Sequence, residues 1–563
     1  MNKQAAIAAV IALTSILGAC EAPQPVDLIL TDARVYTAER GDSLPSTLVI
    51  DNGRILAVGD ASLLERFEGP TRTLSGRLVL PGFHDAHTHL IYGGRQLMQC
   101  DLSGLVSIAA IQSKLADCDS ALDSEEWLLG GGWNLSLFPD ANPNRSMLDA
   151  INPDRATVLV GEDGHSTWAS SRALALAGIT AETPNPPDGV IERDASGSPS
   201  GTLRETAQNL VHAYAPAMLV DDVLIGAERA IQMAHQFGIT SAIDAATTTE
   251  DIKIYEQLKA SGALTLRMVL AITMNDPGLG IGSRTDIDVS KRGTVEALRT
   301  DAAKIFVDGV LEGETAALIE PYDSHAGGHG HLHLDDDELF ALVASLHGES
   351  VQVMFHAIGD LGVRKALDAV EFAIAEHGQN DARHHISHLQ LVDPADRTRF
   401  EALNVTANMQ SLWAMPDTYI TDINLPVVGE HRVNAMYPFG SLARAGARLA
   451  AGSDWSVSSM NPFLAIETAV TRQDAMGQIE GALNPAEAIS LAEAVRAHTA
   501  HGAYLMHQDT ELGELSIGML ADLIVVDQDI FAIPSQDISE TKVLLTLVGG
   551  EVVFEREEAG TNG

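Results

Sequence analysis

Positively charged residues and cysteines are scarce in this sequence. The 563 residues include 35 Lys and Arg against 77 Asp and Glu, for a formal net charge of -42, and only three cysteines. A chain this acidic repels phosphate backbones, so we expect no nucleic-acid partner, and anionic membrane surfaces are disfavoured for the same reason. Lysine is the rarer cation, with eight against 27 arginines, so a lysine in a distinctive setting is informative.

Long apolar runs are also missing beyond residue 20. No later stretch approaches the 18 residues typical of a membrane-spanning helix. Hydrophobic residues make up 45% of the chain and the mean hydropathy is close to zero, which is typical of a soluble globular protein. At about 100–200 residues per domain, the length predicts several domains or one large barrel with additions.

Residues 1–20, MNKQAAIAAVIALTSILGAC, form a targeting segment by their pattern. A lysine precedes an apolar stretch of about 13 residues, which fits a signal peptide and is too short to span a bilayer. The small residues before Cys20 resemble the bacterial lipobox, which implies an exported lipoprotein anchored through a lipid on Cys20. Glu21 favours the outer membrane of a Gram-negative cell, on the periplasmic side. An ordinary signal peptide with an incidental cysteine is the alternative.

Cys100 and Cys118 are the remaining cysteines. Export would place them in an oxidising compartment, where they could pair. They lie 18 positions apart, and sequence spacing does not report the Cα distance that a disulfide needs, so paired and unpaired states both stay open.

The two ends of the chain have similar strand patterns. Residues 21–80 and 511–563 both alternate apolar and polar residues between turn signals. We expect these ends to combine into one small β-sandwich domain.

Residues 81–510 show short apolar strands alternating with helical segments, a pattern typical of a parallel α/β fold. Eight strands are predicted, the number of a closed (β/α)₈ TIM barrel: Gly82–His89, Ile239–Asp244, Leu264–Ile272, Ala302–Val307, Val351–His356, His384–His388, Asn404–Met409 and Arg448–Asp454. The gap after the first strand is several times an ordinary crossover and predicts a large insertion at about 100–215.

Candidate metal ligands follow the predicted strands. His87 and His89, two positions apart, project to the same side of a strand and can reach one ion. Lys304, His356, His388 and Asp454 follow at intervals of 52, 32 and 66 residues, which place them on strands four, five, six and eight.

This arrangement resembles the amidohydrolase superfamily from about residue 27 to 555. The motifs PGFHDAHTH, AGSD and the C-terminal GELSIGMLADLIVVD carry the resemblance. Four further segments make the chain similar to amidohydrolase family 3, the group that includes N-substituted formamide deformylases: GGGWN, DGHSTWASSRAL, PDGVIERDASGSPSGTLRETA and KIFVDG.

The resemblance implies a site for two divalent metal ions. His87, His89 and Asp454 would hold one ion, and His356 and His388 the other. Lys304 would bridge them as N6-carboxylysine, because a carbamate offers two oxygens where an ammonium offers none. Burial and nearby cations both lower a lysine pKa and favour the neutral amine that reacts with carbon dioxide. Imidazole and carboxylate ligands suit Zn²⁺, with Mn²⁺ or Fe²⁺ as alternatives.

The implied chemistry is hydrolysis of a non-peptide C–N bond, in an amide or cyclic amide, by a metal-activated hydroxide. Asp454 would shuttle the proton to the leaving nitrogen, and His165 in the DGHS motif would help to stabilise the oxyanion.

Other residues are candidates for contacts with the metal ligands or for the substrate pocket. Trp133 and Trp168 are candidates for an apolar wall of the pocket, with core packing as the alternative, and Glu205 is a further substrate-binding candidate. By strand parity, His384 is expected on the same side as His388.

The sequence leaves other functions open. An ester, lactone or phosphoester hydrolase would use the same hydroxide, and a non-catalytic ligand-binding lipoprotein could retain the barrel as a scaffold. The small-molecule substrate, the metal and the number of ions stay undetermined. So does the oligomeric state, for which a homodimer is one possibility.

Overall fold

The computed structural model describes residues 22–37, 42–187, 189–275, 282–324 and 327–557. The predicted signal segment and Cys20 lie outside these ranges. Within them, no helix combines the length and the apolar character that a bilayer crossing requires.

The described N-terminal residues form seven strands before the barrel begins. They are β1 (Gln24–Pro25), β2 (Leu28–Thr37), β3 (Asp42–Asp51), β4 (Arg54–Gly59), β5 (Phe67–Glu68), β6 (Thr71–Thr73) and β7 (Leu78–Pro81). The first barrel strand is β8 (Phe83–Thr88). The insertion then contributes β9 (Cys100–Asp101), β10 (Leu128–Trp133), β11 (Thr157–Gly161), β12 (Ser166–Ala169), β13 (Gly189–Arg193) and β14 (Pro199–Glu205).

Seven further barrel strands and three C-terminal strands complete the described set. They are β15 (Ile239–Thr247), β16 (Arg267–Thr273), β17 (Leu298–Phe306), β18 (Gln352–Ala357), β19 (His385–His388), β20 (Thr406–Met409), β21 (Leu449–Ala451), β22 (Leu523–Val526), β23 (Val543–Val548) and β24 (Glu551–Glu555).

The α-helices of the described chain cover the barrel and the insertion. They are α1 (Leu90–Gln96), α2 (Ile108–Ser120), α3 (Arg145–Asp149), α4 (Ser171–Leu176), α5 (Asn209–His212), α6 (Val220–Gln236), α7 (Thr249–Ser261), α8 (Asp336–Gly348), α9 (Asp360–His377), α10 (Arg399–Ala402), α11 (Leu425–Val433), α12 (Phe439–Arg444), α13 (Pro462–Thr471), α14 (Leu491–Ala497) and α15 (Ala500–Leu505). Helices α7 and α8 begin at capping boxes, in which Thr248 and Asp335 accept the first free N–H groups.

The barrel confirms the predicted fold class. Strands β8 and β15 to β21 form one parallel eight-stranded sheet in chain order. The two edges meet where the N–H of Asp454 donates to the carbonyl of His87 over 2.7 Å and Thr88 bridges to Trp455. Each predicted strand overlaps an observed one, and the largest change is β17, which begins four residues early at Leu298. The carboxyl ends of these strands therefore converge at one face, where barrel enzymes build their sites.

Both chain ends contribute to a separate sheet, as predicted. Its order is β24-β23-β22-β7-β2-β3-β4, with β6 beside β2, and the antiparallel pairing of β7 with β22 joins the two ends. The predicted sandwich is thus built on one continuous sheet rather than on two separate ones. Alternate residues along the strands form a shared apolar cluster, as the period of two requires: Leu28, Leu30, Leu48, Ile50, Leu523 and Val525.

The insertion is a unit with its own sheet and core. Its six strands have the order β13-β14-β12-β11-β10-β9, and a first apolar cluster packs between this sheet and α2. Cys100 in β9 and Cys118 in α2 form a disulfide, with their Cα atoms 6.0 Å apart. The pairing left open by the sequence is therefore present, and it ties α2 to the edge of the sheet.

Candidate metal centre

Three predicted ligands converge where the barrel closes. His87 lies near the end of the buried strand β8, and His89 precedes α1. Their Nε2 atoms lie 3.2 and 3.0 Å from Asp454 Oδ1. Within the described residues these three side chains form the one group whose ligand atoms all lie within 4.8 Å of one another.

The backbone around Gly452 explains how Asp454 reaches this position. A Cβ at Gly452 would lie 2.5 Å from the Cβ of His87, so only glycine allows the chain after β21 to pass so close to β8. Asp454 then adopts a φ of 55° and directs its carboxylate towards the two histidines. In the AGSD motif, Gly452 therefore lets the chain pass close to β8, and Asp454 two residues later contacts the histidines.

His356, His388 and Lys304 lie on neighbouring strands at the same face. The His356 and His388 rings are 4.4 Å apart, and the His388 ring is 4.8 Å from that of His87. His388 Nδ1 lies 3.9 Å from Asp454 Oδ2. Lys304 in β17 is fully buried with its Nζ 4.5 Å from the centre of the Phe306 ring, so it does not extend to the surface.

The donor atoms fit a metal ion. His87 Nε2, His388 Nδ1 and Asp454 Oδ1 are buried and have no hydrogen-bond partner within the described chain. Each such atom would cost about 1–3 kcal/mol if it stayed unsatisfied, and a cation placed among them would serve all three. Imidazole and carboxylate donors together are the ligands expected for zinc or a similar divalent ion.

Burial sets the protonation states of these ligands. Burial lowers the pKa of His87 to about 3 and holds the pKa of His388 well below its usual value, so both rings are neutral donors at neutral pH. Burial opposes ionisation of Asp454, but His87 and His89 outweigh it and keep the pKa of that carboxyl well below its usual value. Neutral imidazoles beside a carboxylate are the forms that ligate metals.

Asp85 supports the centre and was assigned no role from the sequence. Its Oδ1 accepts the N–H groups of His87 over 3.1 Å and Ser453 over 2.9 Å, and its Oδ2 accepts the Ser453 hydroxyl over 2.5 Å. The side chain therefore links the strand that carries His87 to the loop that carries Asp454. Its place two residues before His87, between buried strand residues, is the signal that could have revealed it.

His165 and Glu205 form a pair at the edge of the site. Strands β12 and β14 pair with Ser166 opposite Arg204, which brings the residues just beyond them together. His165 Nδ1 lies 2.8 Å from Glu205 Oε2, and the Thr315 hydroxyl donates to Glu205 Oε1 over 2.8 Å. The His165 ring lies 5.7 Å from the His356 ring. Glu205 thus orients His165 from the insertion towards the barrel.

The prediction that Trp133 and Trp168 line the pocket is wrong. Both side chains are fully buried in the core of the insertion, where their rings pack edge to face and Trp133 Nε1 donates to the carbonyl of Leu159. Trp413, which the sequence analysis did not single out, lies at the site instead. Its partly exposed ring stacks on His388, parallel to within 2° and 5.3 Å away. Its position four residues after β20 was the available signal.

The parity assigned to His384 is also wrong. His384 Nδ1 accepts the N–H of Val353, and its Nε2 lies 2.9 Å from His347 Nδ1 in α8, away from the ligands. His385 is the histidine that lies inside the barrel, 3.2 Å from the amide of Asn408. His388 has a φ of 77°, so the alternation breaks before the ligand.

Comparison with known proteins identifies a family and several relatives that this chain resembles. A family model described as the amidohydrolase family matches residues 72–554. Protein LONG AFTER FAR-RED 3 of Arabidopsis thaliana is 31% identical over 541 residues, 94% of this chain and 91% of that protein. N-substituted formamide deformylase of Arthrobacter pascens is 27% identical over 555 residues, 94% and 98% of the two chains. The crystal structure of an uncharacterized metal-dependent hydrolase from Pyrococcus furiosus superposes with a TM-score of 0.68 at 25% identity. The match covers 89% of this chain and 99% of that chain.

Proposed function

Because the chain belongs to the amidohydrolase family and is a metal-dependent hydrolase of C–N bonds other than peptide bonds, we propose that it is an exported enzyme that cleaves an amide or cyclic amide of a small molecule. The observation that carries the proposal is the convergence of His87, His89 and Asp454. His87 Nε2 and Asp454 Oδ1 are buried and have no hydrogen-bond partner within the described residues. A scaffold that only bound a ligand would gain nothing from this costly arrangement.

We propose two divalent ions, with zinc as the best match to the donors. His356 and His388 would complete the second position. When Nε2 of His356 carries the proton, it donates to the Gly309 carbonyl 3.2 Å away, which leaves Nδ1 as the ligating nitrogen. The full burial of Lys304 among these histidines supports its carboxylation, because burial favours the neutral amine.

The bound ions would acidify a water molecule and polarise the scissile carbonyl. Hydrolysis adds a hydroxyl group to the acyl carbon and a proton to the departing nitrogen, and we assign the transfer of that proton to Asp454. His87 and His89 keep the carboxyl ionised, which is the form that can accept a proton. We assign to His165 the donation of a hydrogen bond to the oxyanion, and its contact with Glu205 supports this role by orienting the ring. Trp413 is placed to contact the organic part of the substrate.

We further propose export as a lipoprotein anchored through Cys20, with the enzyme on the periplasmic side. The disulfide between Cys100 and Cys118 supports this location, since disulfides persist in oxidising compartments. Expression of the full chain with labelled palmitate tests it. We expect label in the wild type and none in Cys20→Ala, whereas equal labelling of both would contradict the assignment.

A hydrolysis screen tests the activity. The purified protein is loaded with zinc and given N-formyl, N-acyl and cyclic amides alongside matched esters. We expect turnover of at least one amide, lost in Asp454→Asn and retained in His377→Gln, an exposed histidine at the end of α9. Turnover of esters alone would favour the ester hydrolase alternative, and a zinc-loaded protein inert on the whole panel would refute an amidohydrolase.

A further inference from the structure

Two buried amide side chains, Asn408 and Gln410, lie next to the end of β19, where the candidate ligand His388 stands. The backbone pairing of β19 with β20 ends at Ser387 and Asn408. His388 then adopts a φ of 77°, and Gln410 Oε1 accepts its N–H over 2.8 Å. A side chain therefore replaces the neighbouring strand as the partner of the His388 backbone.

The direction of each hydrogen bond in this group is fixed from its two ends. The carbonyl of Ala86 can only accept, so the Asn408 atom 2.9 Å away is the donor Nδ2. Asn408 Oδ1 is then the acceptor for Gln410 Nε2, 3.4 Å away. At the other end, the N–H of His388 can only donate, which requires the oxygen of Gln410. Three hydrogen bonds therefore run in one direction from His388 to Ala86.

The two ends of this chain lie at ligands of different metal positions. Ala86 directly precedes His87 in β8, and His388 is itself the other end. The rings of His87 and His388 are 4.8 Å apart. We call Asn408 and Gln410 the amide brace, because they connect the backbones at these two positions.

The amide brace also sets the tautomer of His385. Asn408 Nδ2 lies 3.2 Å from His385 Nδ1 and can only donate, so Nδ1 accepts and the neutral ring keeps its proton on Nε2. A nitrogen that carries a proton cannot ligate a metal, and the other nitrogen of this ring is already occupied. The brace therefore favours His388 over His385 as the ligand from β19.

The segment that carries Gln410 is itself anchored. The Ser411 hydroxyl donates to the carbonyl of Ala465 in α13 over 2.9 Å. The N–H of Trp413 donates to the Gln410 carbonyl over 3.1 Å, and the Trp413 ring stacks on His388. One short segment thus contacts both the backbone and the ring of this ligand.

We propose that the amide brace positions His388 relative to His87 and so sets the affinity for the second metal ion. The inference rests on the proposed function and assigns two positioning residues to its metal site. A positive φ at a residue other than glycine persists only where the surroundings hold it. Without Gln410, the buried N–H of His388 loses its acceptor and the ring can move away from His356, which lies 4.4 Å from it.

A zinc titration tests the inference. Zinc is added to the metal-free full-length protein in competition with a chromophoric chelator, which yields a dissociation constant for each ion. Gln410→Met removes the acceptor and keeps a side chain of similar length. We expect it to weaken one of the two constants by about 10–100-fold and to leave the other unchanged. Gln257→Met makes the same exchange at an exposed position on α7 and should change neither constant.

Asn408→Leu breaks the brace at its middle and is expected to weaken the same constant. Because both side chains act through one chain of hydrogen bonds, the double variant should weaken it no more than the stronger single variant does. Two side chains that only filled space would instead leave the two constants in their wild-type ratio. If Gln410→Met does not fold, the comparison of Asn408→Leu with the wild type decides.

Gln410→Glu separates positioning from packing. It keeps an acceptor for the N–H of His388 but introduces a buried charge. We expect it to bind the affected ion more tightly than Gln410→Met does. In thermal unfolding of the metal-free proteins we expect the opposite order, because a buried carboxylate lowers the stability.

The possible results distinguish the amide brace from the proposed function. Wild-type constants for both ions in Gln410→Met and Asn408→Leu would overturn the brace, and so would equal weakening of both constants. A wild type that hydrolyses amides with a single bound ion would also overturn it and leave the amidohydrolase standing. A wild type that binds no zinc and hydrolyses no amide would count against the proposed function itself.

Discussion

Asp85 provides a sharp test of how the barrel holds its ligands. Its carboxylate accepts three hydrogen bonds, from the N–H of His87 and from the N–H and hydroxyl of Ser453. Asp85→Asn keeps the size of the side chain and one acceptor oxygen. The other oxygen becomes an NH₂ group, which cannot accept the hydrogen bond from the Ser453 hydroxyl.

The expected magnitude follows from these contacts. Loss of one hydrogen bond to a charged, buried carboxylate costs about 1.5–3 kcal/mol. Because Ser453 precedes the ligand Asp454, part of this cost appears as weaker metal binding. Residues that orient metal ligands typically change metal affinity by about 10–100-fold when they are replaced.

Chelator competition measures the zinc affinity, and thermal unfolding of the metal-free protein measures the stability. We expect Asp85→Asn to lower both. Asp101→Asn is the matched control, because Asp101 is exposed and its carboxylate accepts the local N–H of Ser103. If Asp85→Asn binds zinc as tightly as Asp101→Asn does, the link between β8 and the Asp454 loop does not position the ligand.

Other predictions concern the insertion and its acids. Cys118→Ser removes a bridge between residues 18 positions apart and should cost about 3 kcal/mol, seen as a lower melting temperature that reductant does not lower further; an unchanged melting temperature would count against the bridge. Trp133→Ala should destabilise the insertion by about 3–5 kcal/mol, because it leaves a cavity in a buried core. Trp413→Ala should mainly lower kcat/KM. The reverse pattern would indicate that Trp133, and not Trp413, lines the substrate pocket. For Glu162, the folded pKa of about 8 lies above the ordinary 4.5, so the folded state holds a proton that the unfolded state loses. The contribution of Glu162 to stability should therefore fall as the pH rises from 4.5 to 8, by on the order of 1 kcal/mol per pH unit. Denaturant unfolding at pH 5 and pH 8 should show this contribution as the difference between the wild type and Glu162→Gln, with the wild type losing more stability than the variant at the higher pH.

The barrel could be predicted because its signals are local. Each strand is a short apolar run between turn residues, and β8 and β18 are buried along their whole length. The ligands follow from the same strands, since residues near the carboxyl ends of parallel strands meet at one face. His87, His89 and Asp454 therefore lie together, as the family resemblance implied.

The errors have a common physical origin in backbone geometry and long-range packing. Strand parity failed at His384 because the φ of 77° at His388 interrupts the alternation, and sequence alone does not report such a value. Trp133 was placed at the pocket because a tryptophan suits either a wall or a core. Whether Trp133 lies in a pocket wall or in a core depends on how the sheet of the insertion packs against α2. Trp413 was missed because its role arises from stacking on a residue of another strand.

We expect the converging side chains to hold catalytic metal ions, and elemental analysis measures those ions. The full-length protein is loaded with zinc, dialysed against buffer and assayed for bound metal and amide hydrolysis in the same samples. We predict about two ions per chain in the wild type, with a loss of both metal and activity in Asp454→Asn. A wild type that hydrolyses amides without bound metal, or an Asp454→Asn variant with full metal content and activity, would contradict it.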